Sequence, residues 1–517
     1  MSQPLTTPPL VRKLPSVTLK MIGGTLLVAG VGMFASFLLE LGMEGDQFDE
    51  LGLSAMVVIV VGGALMVLTT IPRKLTRGSV FFAVTASWVA FAFVATIPYM
   101  ITGTFERFDN ALFESVSGFT TTGATLLTGL DELDSGVLLW RSLTQWFGGI
   151  GVIVVLVSIV PVFGVGGHSL LQAEAPGPES ERLVPRIRET AQRLVVVYLC
   201  LTALMFVLYL VFGMSLFDAV NHAFTTASTG GFSTHDASFA FYGSEALESC
   251  AILGMFLAGG SFILYYRLAT GHPQPLFRST EFRAYVAVLV VASALVFLWN
   301  LAPSGARSNF ADEIFTVVSI VSTTGYGVTD YSTWAGGAQA LLLLLMPLGA
   351  MAGSTAGGFK LIRLMAVIGV TNREIIRQVH PRIVRVVRVN DRVVDEDVLR
   401  RIVGFFMIYA LMWAGGFVVV EASGTTVEVA ISTVASSLGN VGPALGEASD
   451  GVYNVVPWPG RILLMCFMLL GRLEVFPPLV AAWAVYDSVR RPKFRRQYRL
   501  QMQKLRGRRR AADRTQV

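Results

Sequence analysis

The sequence predicts an all-α polytopic membrane protein with ten transmembrane helices. They form an N-terminal pair followed by four pseudo-symmetric repeats of helix, re-entrant loop and helix around one axis. Three observations predict it. Hydrophobic residues make up 53% of the 517 and charged residues only 15%, against roughly 25% charged in an ordinary soluble domain. Ten apolar stretches can each span a bilayer, and the connections between them alternate in charge. Four of those connections end in the same hydroxyl- or amide-rich, glycine-containing pattern. A mean hydropathy of +0.62 excludes a disordered chain, a secreted disulfide scaffold and an ordinary soluble enzyme. Cys200, Cys250 and Cys466 lie in apolar stretches without metal-ligand spacing.

A bilayer core takes about 20 apolar residues per helix. The stretches that meet this are 21–41, 51–71, 79–100, 136–163, 194–212, 247–266, 285–301, 338–370 (interrupted), 402–420 and 462–485. The first follows Arg12, Lys13 and Lys20, but it is too long for a signal peptide and lacks a clear cleavage site, so it is read as a helix. One set of connections carries Arg73, Lys74 and Arg77, then Arg182, Arg186, Arg188 and Arg193, then Arg267, Arg278 and Arg283, then the run 360–401 and the C-terminal tail. The alternate set, 43–51, 102–136, 213–244, 302–335 and 421–460, holds only Arg107 and Arg307 and is rich in Asp and Glu. The positive-inside rule then places both termini in the cytoplasm and the acidic connections outside.

Four acidic connections are too long and too apolar for simple loops: 109–125, 218–233, 312–328 and 428–446. Each opens on an acid (Asp109, Asp218, Asp312, Glu428), continues in a helical apolar pattern and ends at a glycine. The glycines align as Gly123, Gly230, Gly325 and Gly442, preceded by Thr121-Thr122, Ser228-Thr229, Thr323-Thr324 and Asn440-Val441. An acid in the first turn suits a helix N-terminus. A helix entering from outside then aims its carbonyl end at the membrane centre, where it suits a cation. Glycine serves where backbone turns with positive φ and closely approaches a neighbour. Irregular backbone at membrane depth survives only when buried or lining a wet cavity. Four such stretches can converge on one axis, where their carbonyls would replace an ion's hydration shell.

These residues resemble the Trk/Ktr/HKT superfamily of potassium transporters, and within it the bacterial TrkH/TrkG branch, over nearly the whole chain. The likeness rests on Ser-Gly-Phe-Thr-Thr-Thr-Gly (117–123), Ser-Thr-Gly-Gly-Phe-Ser-Thr-His-Asp (228–236), Ser-Thr-Thr-Gly-Tyr-Gly (322–327) and Gly-Asn-Val-Gly-Pro (439–443). Ala-Glu-Ala-Pro-Gly-Pro at 173–178 and the stretch 185–191 resemble the branch's cytoplasmic linker. The resemblance implies one pseudo-fourfold pore per subunit, with helix–pore loop–helix repeats and a potassium ion as cargo. It implies a filter made mainly of the backbone carbonyls of Thr121, Thr122, Gly123, Ser228, Thr229, Gly230, Thr323, Thr324, Gly325, Asn440, Val441 and Gly442. It also implies a homodimer and a cytosolic, RCK-type nucleotide-binding regulator. Glycine at all four filter positions goes with potassium in that family. Asn440 and Val441 depart from the hydroxyl pattern, so the carbonyl rings need not be equivalent. A sodium-coupled or sodium-permeable transporter of the same superfamily stays open as the alternative.

The eighth span is interrupted over 346–360. Pro347 with Gly349, Gly353, Gly357 and Gly358 cannot make a continuous stable helix. The break lies on the cytoplasmic side of the third filter segment and ends at Lys360. It resembles the family's intramembrane gating loop; a kinked helix is the other reading. Arg472 lies near the middle of the last span, and a mid-membrane arginine usually faces a cavity or a partner. The expectation is that it bonds the gating loop below the filter and acts as an electrostatic barrier, as the family's arginine does there. A structural pair with a buried carboxylate is the alternative. Glu474, two residues on, cannot share its helix face. Arg141 reads as an interfacial side chain, and His222 and His235 as structural or, alternatively, pH-sensing. Alternation around Asn390-Asp391 in 381–394 predicts a short β-hairpin, either a regulator contact or a solvated flap.

No P-loop lysine motif, His-Glu-x-x-His or credible triad occurs. The chain is therefore read as non-enzymatic and without an organic cofactor, and any nucleotide effect belongs to a partner. An intramembrane enzyme would need facing carboxylates or a nucleophile–base pair. A receptor or scaffold would not need four glycine-ended segments. The expected division is an N-terminal pair at 1–78, repeats at 79–189, 190–280, 281–398 and 399–488, and a basic tail at 489–517. The tail holds twelve basic residues and one acid, so the chain's net +5 is a basic tail on a body of −6. Such a tail suits anionic membrane lipid or an acidic regulator surface, and nucleic acid is not needed to explain it. The expected location is the bacterial inner membrane.

Overall fold

The computed structural model describes residues 14–43, 47–71, 77–163, 183–301, 309–390, 392–483 and 485–486. The linker motif at 173–178 and the basic tail from 489 lie outside them, as do Arg73, Lys74 and Arg307. The described chain is helical: α1 (Val17–Gly42), α2 (Phe48–Leu68), α3 (Arg77–Val94), α4 (Thr96–Ile101), α5 (Phe108–Phe119), α6 (Ser135–Phe163), α7 (Leu183–Val211), α8 (Leu216–Ala227), α9 (Glu245–Gly259) and α10 (Phe262–Ala269). After these come α11 (Gln274–Arg278), α12 (Thr280–Asn300), α13 (Phe310–Val321), α14 (Gly336–Leu345), α15 (Leu361–Val379), α16 (Glu396–Ala422), α17 (Val427–Gly439) and α18 (Trp458–Arg472). A last helix, α19, runs Phe476–Trp483. Among the described residues, strand is confined to short two-residue pairs, the first being β1 (Leu14–Pro15) in parallel with β2 (Thr69–Thr70).

Six described helices are long and apolar enough to cross a membrane, and two bent pairs raise the number to eight. Their apolar side chains point both ways. On α2, Val57, Val60, Val61 and Val67 are exposed, as are Met407, Leu411 and Val418 on α16. An apolar outside is tolerable only where the solvent is itself hydrocarbon. Inside, α1 and α2 meet through small residues. A Cβ on Gly62 would lie 2.9 Å from Leu27 N, and one on Gly23 would lie 3.0 Å from Met66 N. Without a hydrophobic drive between helices in lipid, such backbone contact supplies the packing energy. Glu40, 1% exposed on α1, accepts from Gly136 N at 2.6 Å and joins the pair to the start of α6.

Two spans expected to be continuous are broken. The stretch 247–266 divides at Gly260-Ser261, and α9 meets α10 at 102°. The stretch 462–485 divides after Arg472, and α18 meets α19 at 108°. At that bend Glu474 and Val475 are left-handed, with φ of 61° and 56°. The interrupted eighth span behaves as expected: α14 ends at Leu345, α15 starts at Leu361, and residues 346–360 form a loop between them. The breaks satisfy one another. Met351 N donates to Gly259 O at 3.1 Å, and Phe262 N donates to Gly353 O at 3.0 Å. The loop thus takes up backbone groups freed by the bend at 260, as polar groups in an apolar surrounding require.

The loop also closes on itself. β3 (Leu348–Gly349) pairs in parallel with β4 (Phe359–Lys360). The expected hairpin is present as β5 (Arg388–Val389) against β6 (Arg392–Val393), antiparallel. It seats Val387 against Ala366 and Leu399.

Replacing Gly62 by leucine should overpack the α1–α2 contact and cost about 1–3 kcal/mol. It is read as a lower thermal unfolding midpoint in detergent. Gly63→Leu, with nothing within 4 Å of its Cβ position, should leave that midpoint in place.

Candidate functional site

Each of the short helices α5, α8, α13 and α17 ends in the same backbone turn. A left-handed residue comes first: Thr121, Thr229, Thr323 and Asn440, with φ between 51° and 58°. One ordinary residue follows, then a glycine with φ between 80° and 101°: Gly123, Gly231, Gly325 and Gly442. The hydrogen bonds repeat as well. Thr122 N donates to Ser117 O, Gly230 N to Thr225 O, Thr324 N to Ser319 O and Val441 N to Ser436 O, all at 2.8–3.0 Å.

This geometry moves the second segment by one residue from its sequence alignment. Gly231, not Gly230, is the counterpart of Gly123, Gly325 and Gly442. Thr229 and Gly230 hold the places of Thr121 and Thr122. Ser228 falls back to the place of Thr120, where each hydroxyl bonds a helix carbonyl: Ser228 Oγ to Phe224 O at 2.8 Å and Thr120 Oγ1 to Val116 O at 2.7 Å. The sequence alignment takes Gly230, but of the two adjacent glycines it is Gly231 that has the positive φ.

Glycine is required twice over at these turns. Its φ is one that side chains rarely adopt, and a Cβ would strike the next segment's backbone. That atom would stand 2.3 Å from Gly230 O if placed on Gly123, and 2.0 Å from Thr324 O on Gly231. On Gly325 it would stand 1.9 Å from Val441 O, and on Gly442 2.6 Å from Thr122 O. The four contacts form a closed cycle, from first turn to second, third, fourth and back to first. A β-branched threonine with positive φ is an outlier that persists only when its surroundings hold it. Here Thr323 Oγ1 accepts from Gly357 N at 2.8 Å. Asn440, a residue that tolerates this conformation better, donates to Thr122 Oγ1 at 3.0 Å and Met468 O at 2.8 Å.

Behind the cycle lies a brace that the sequence reading missed. Arg141 is not interfacial: it is 1% exposed and its Nε meets Glu114 Oε1 at 2.9 Å. Glu114 also accepts from Thr125 Oγ1 at 2.9 Å and Leu126 N at 3.1 Å. Arg141 donates to Ser233 O at 3.1 Å and stacks 4.2 Å from the Phe232 ring centre. One buried ion pair therefore ties the chain leaving the first turn to the chain leaving the second. Four residues on, Gln145 donates to Gly230 O at 2.7 Å and accepts from Phe232 N at 3.1 Å. Tyr326 OH meets Thr225 Oγ1 at 2.5 Å, and Tyr453 OH donates to Gly442 O at 2.8 Å. The available signal was an acid and an arginine in apolar segments, with Arg141 and Gln145 on one helix face. His222 is buried with both ring nitrogens partnered, to Asp218 O at 2.9 Å and Ser233 Oγ at 3.1 Å. Its reading is structural. His235 lies between Asp131 and Asp218.

The loop 346–360 packs against the C-terminal ends of the short helices. Thr355 Oγ1 donates to Ala227 O at 3.0 Å. A Cβ on Gly357 would lie 2.6 Å from Gly439 O, and one on Gly349 would lie 2.0 Å from Gly357 O. Gly353 and Gly358 have positive φ, of 78° and 67°. Lys360 is buried and donates to Ala356 O within the loop. Arg472 stands at the end of α18 rather than mid-helix, 3% exposed, and donates through Nη1 to Thr355 O at 2.6 Å. The sequence expected a bond between Arg472 and this loop, and Thr355 O supplies it. Glu474 pairs instead with Arg363 at 2.5 Å.

Replacing Arg141 by methionine would leave Glu114 buried without its charge partner. The expected cost is about 3–5 kcal/mol, seen as a large fall in the thermal unfolding midpoint in detergent. The exposed pair Arg107–Asp109 serves as the control, since Arg107→Met should not shift that midpoint measurably.

Comparison with known proteins gives the family. A family model described as "TrkH: Cation transport protein" matches residues 52–490. The Trk system potassium uptake protein TrkH of Halomonas elongata is 36% identical over 474 residues, covering 89% of this chain and 97% of the relative. That of Escherichia coli K12 is 37% identical over 406 residues, covering 77% and 84%. The crystal structure of the potassium transporter TrkH from Vibrio parahaemolyticus superposes with a TM-score of 0.81 at 33% identity, covering 90% of this chain and 97% of that one. With a family match over most of its length, relatives named as transport proteins rather than enzymes, and helices suited to cross a membrane several times, this chain belongs to the TrkH family of cation transport proteins.

Proposed function

We propose that this chain takes up potassium ions across the bacterial inner membrane. Its filter consists of the backbone carbonyls of Thr121-Thr122-Gly123, Thr229-Gly230-Gly231, Thr323-Thr324-Gly325 and Asn440-Val441-Gly442. The observation that carries the reading is the closed cycle of four glycine turns. Stripping water from a cation is costly, and rings of backbone carbonyls can stand in for the lost shell. The braces at Glu114–Arg141, Gln145, Tyr326 and Tyr453 support such rings by holding the turns in one geometry. The relatives' names, potassium uptake proteins of a Trk system, support potassium as the cargo.

Around this filter the proposal sets ten spans as an N-terminal pair (1–78) and four repeats (79–189, 190–280, 281–398, 399–488), with both termini cytoplasmic. The loop 346–360 is the gate. Gly349, Gly353, Gly357 and Gly358 give it its turns, Lys360 closes it, and Arg472 holds it at Thr355 while adding a positive charge in the path of a cation. A homodimer, a cytosolic TrkA-like regulator with RCK domains, and membrane lipid at the basic tail complete the assembly.

Purified protein in liposomes should pass rubidium, with sodium competing poorly. No flux under any regulator condition would overturn the reading. In Gly325→Ser the new side chain must displace the Val441 carbonyl. Selectivity for rubidium over sodium should fall about tenfold, equivalent to ~1.4 kcal/mol. Unchanged selectivity would remove Gly325 from the filter.

A further inference from the structure

The hairpin β5–β6 reaches the loop 346–360 by a route of four side chains and backbone groups. Asn390, at the hairpin turn with φ of 50°, sits over the first turn of α12. Its Oδ1 accepts from Thr280 N and Thr280 Oγ1 at 2.8 Å each, from Ser279 Oγ at 3.3 Å and from Glu281 N at 3.4 Å. Asn390 N donates to Thr280 Oγ1 at 3.0 Å. A helix start leaves its first backbone N–H groups without intrahelical partners. Here Ser279 Oγ caps Phe282 N at 3.2 Å, and a residue 110 positions away in sequence supplies the acceptor for Thr280 N and Glu281 N. The next side chain, Glu281, is 5% exposed, and its Oε1 accepts from Ala352 N at 2.7 Å. Ala352 lies between Met351, bonded to Gly259 O, and Gly353, whose carbonyl accepts from Phe262 N. Three residues further on, Thr355 O receives Arg472.

The hairpin holds the other end of the loop as well. Val387 packs on α15, the helix that follows Lys360, and a Cβ on Gly369 would lie 2.7 Å from Val387 Cγ1. The segment leading into the hairpin is exposed, with Val384 90% exposed and Arg382, Arg385 and Arg388 also exposed.

We propose that Asn390 and Glu281 are positioning residues for the loop, and that the hairpin holds the loop shut through them. The inference rests on reading 346–360 as the gate. Moving the hairpin withdraws Asn390 from the first turn of α12. That turn keeps the Ser279 cap on Phe282 N but loses the acceptor for Thr280 N and Glu281 N, so Glu281 shifts and the Ala352 amide is released. A partner on the cytoplasmic side needs only to move the exposed hairpin; it need not enter the membrane. No other contact in the cytoplasmic portion combines a helix cap in trans with a buried carboxylate that bonds the loop backbone, among the described residues.

The test uses the full chain in liposomes without any partner, with rubidium flux as the readout. Glu281→Ala and Asn390→Gly should each raise basal flux about tenfold, as expected for loss of the buried carboxylate's bond to the loop or of the amide acceptor that positions that carboxylate. Asn390→Gly keeps the left-handed turn and removes only the acceptor. Because both act on one route, the double variant should exceed neither single by more than about twofold. Glu281→Gln and Asn390→Asp, which retain the accepting oxygen, should return flux toward that of the parent. Additive effects, or no rescue, would overturn the shared route. Arg472→Ala separates the two readings: raised flux there with unaltered flux in Glu281→Ala and Asn390→Gly overturns the positioning role and leaves the gate standing. Unaltered flux in all three removes the gate and the inference with it. If Glu281→Ala does not fold, amide exchange of the segment containing Ala352 in Asn390→Gly decides. Faster exchange than in the parent supports the route, and equal exchange overturns it.

Discussion

The structure depends on one close approach, made four times. A glycine in each short segment brings its α-carbon against a carbonyl oxygen of the next, at distances where a side chain has no room. The constraint is steric and conformational at once, since the same glycines carry positive φ. A single glycine turn would be an ordinary loop device. Four that exclude side chains in a closed cycle bring four chain segments into backbone contact with one another. Backbone carbonyls gathered in this way suit the proposed role of replacing an ion's hydration shell.

The cycle is expensive to hold. Three threonines sit in the left-handed region, and carbonyls of adjoining segments are brought together. The surrounding polar groups answer that cost. Glu114–Arg141 braces the first and second turns, Gln145 anchors Gly230 O, and Tyr453 anchors Gly442 O. These groups are buried, so each is costly alone and stabilising only in its full set of partners. The brace is uneven around the ring. The ion pair serves the first two turns, whereas the third and fourth lean on the loop 346–360 and on Asn440. The loop is therefore part of the scaffold on one side of the ring as well as the proposed gate beneath it.

The broken helices follow the same logic. A bend in a membrane helix exposes backbone groups that lipid cannot satisfy. Here α9–α10 offers Gly259 O and Phe262 N to the loop, and α18 ends where Arg472 reaches Thr355 O. Each break is stabilised by another. The loop's conformation is thus shared among three broken spans, and this sharing makes a remote cap such as Asn390 able to influence it.

The helical membrane class, the apolar stretches, the four glycine-ended segments and the interrupted eighth span were legible in the sequence. Hydropathy and glycine–proline content act locally, over lengths of a helix or less. Arg472's contact with the loop was also foreseeable, because an arginine in an apolar span must find a partner. Three things were not legible. The Gly230–Gly231 register needed φ, because both residues are glycine and only the backbone tells them apart. The bends at 260 and 473 needed the loop, because the helical pattern on each side runs on unbroken and only a neighbour's hydrogen bonds make the break affordable. The burial of Arg141 and the capping of Thr280 by Asn390 needed the assembled chain. Their partners lie 27 and 110 residues away. The sequence by itself determined the apolar spans and the glycine-marked turns; the tertiary structure decided which turns meet and where further spans break, because burial of a polar group depends on partners that local sequence does not contain.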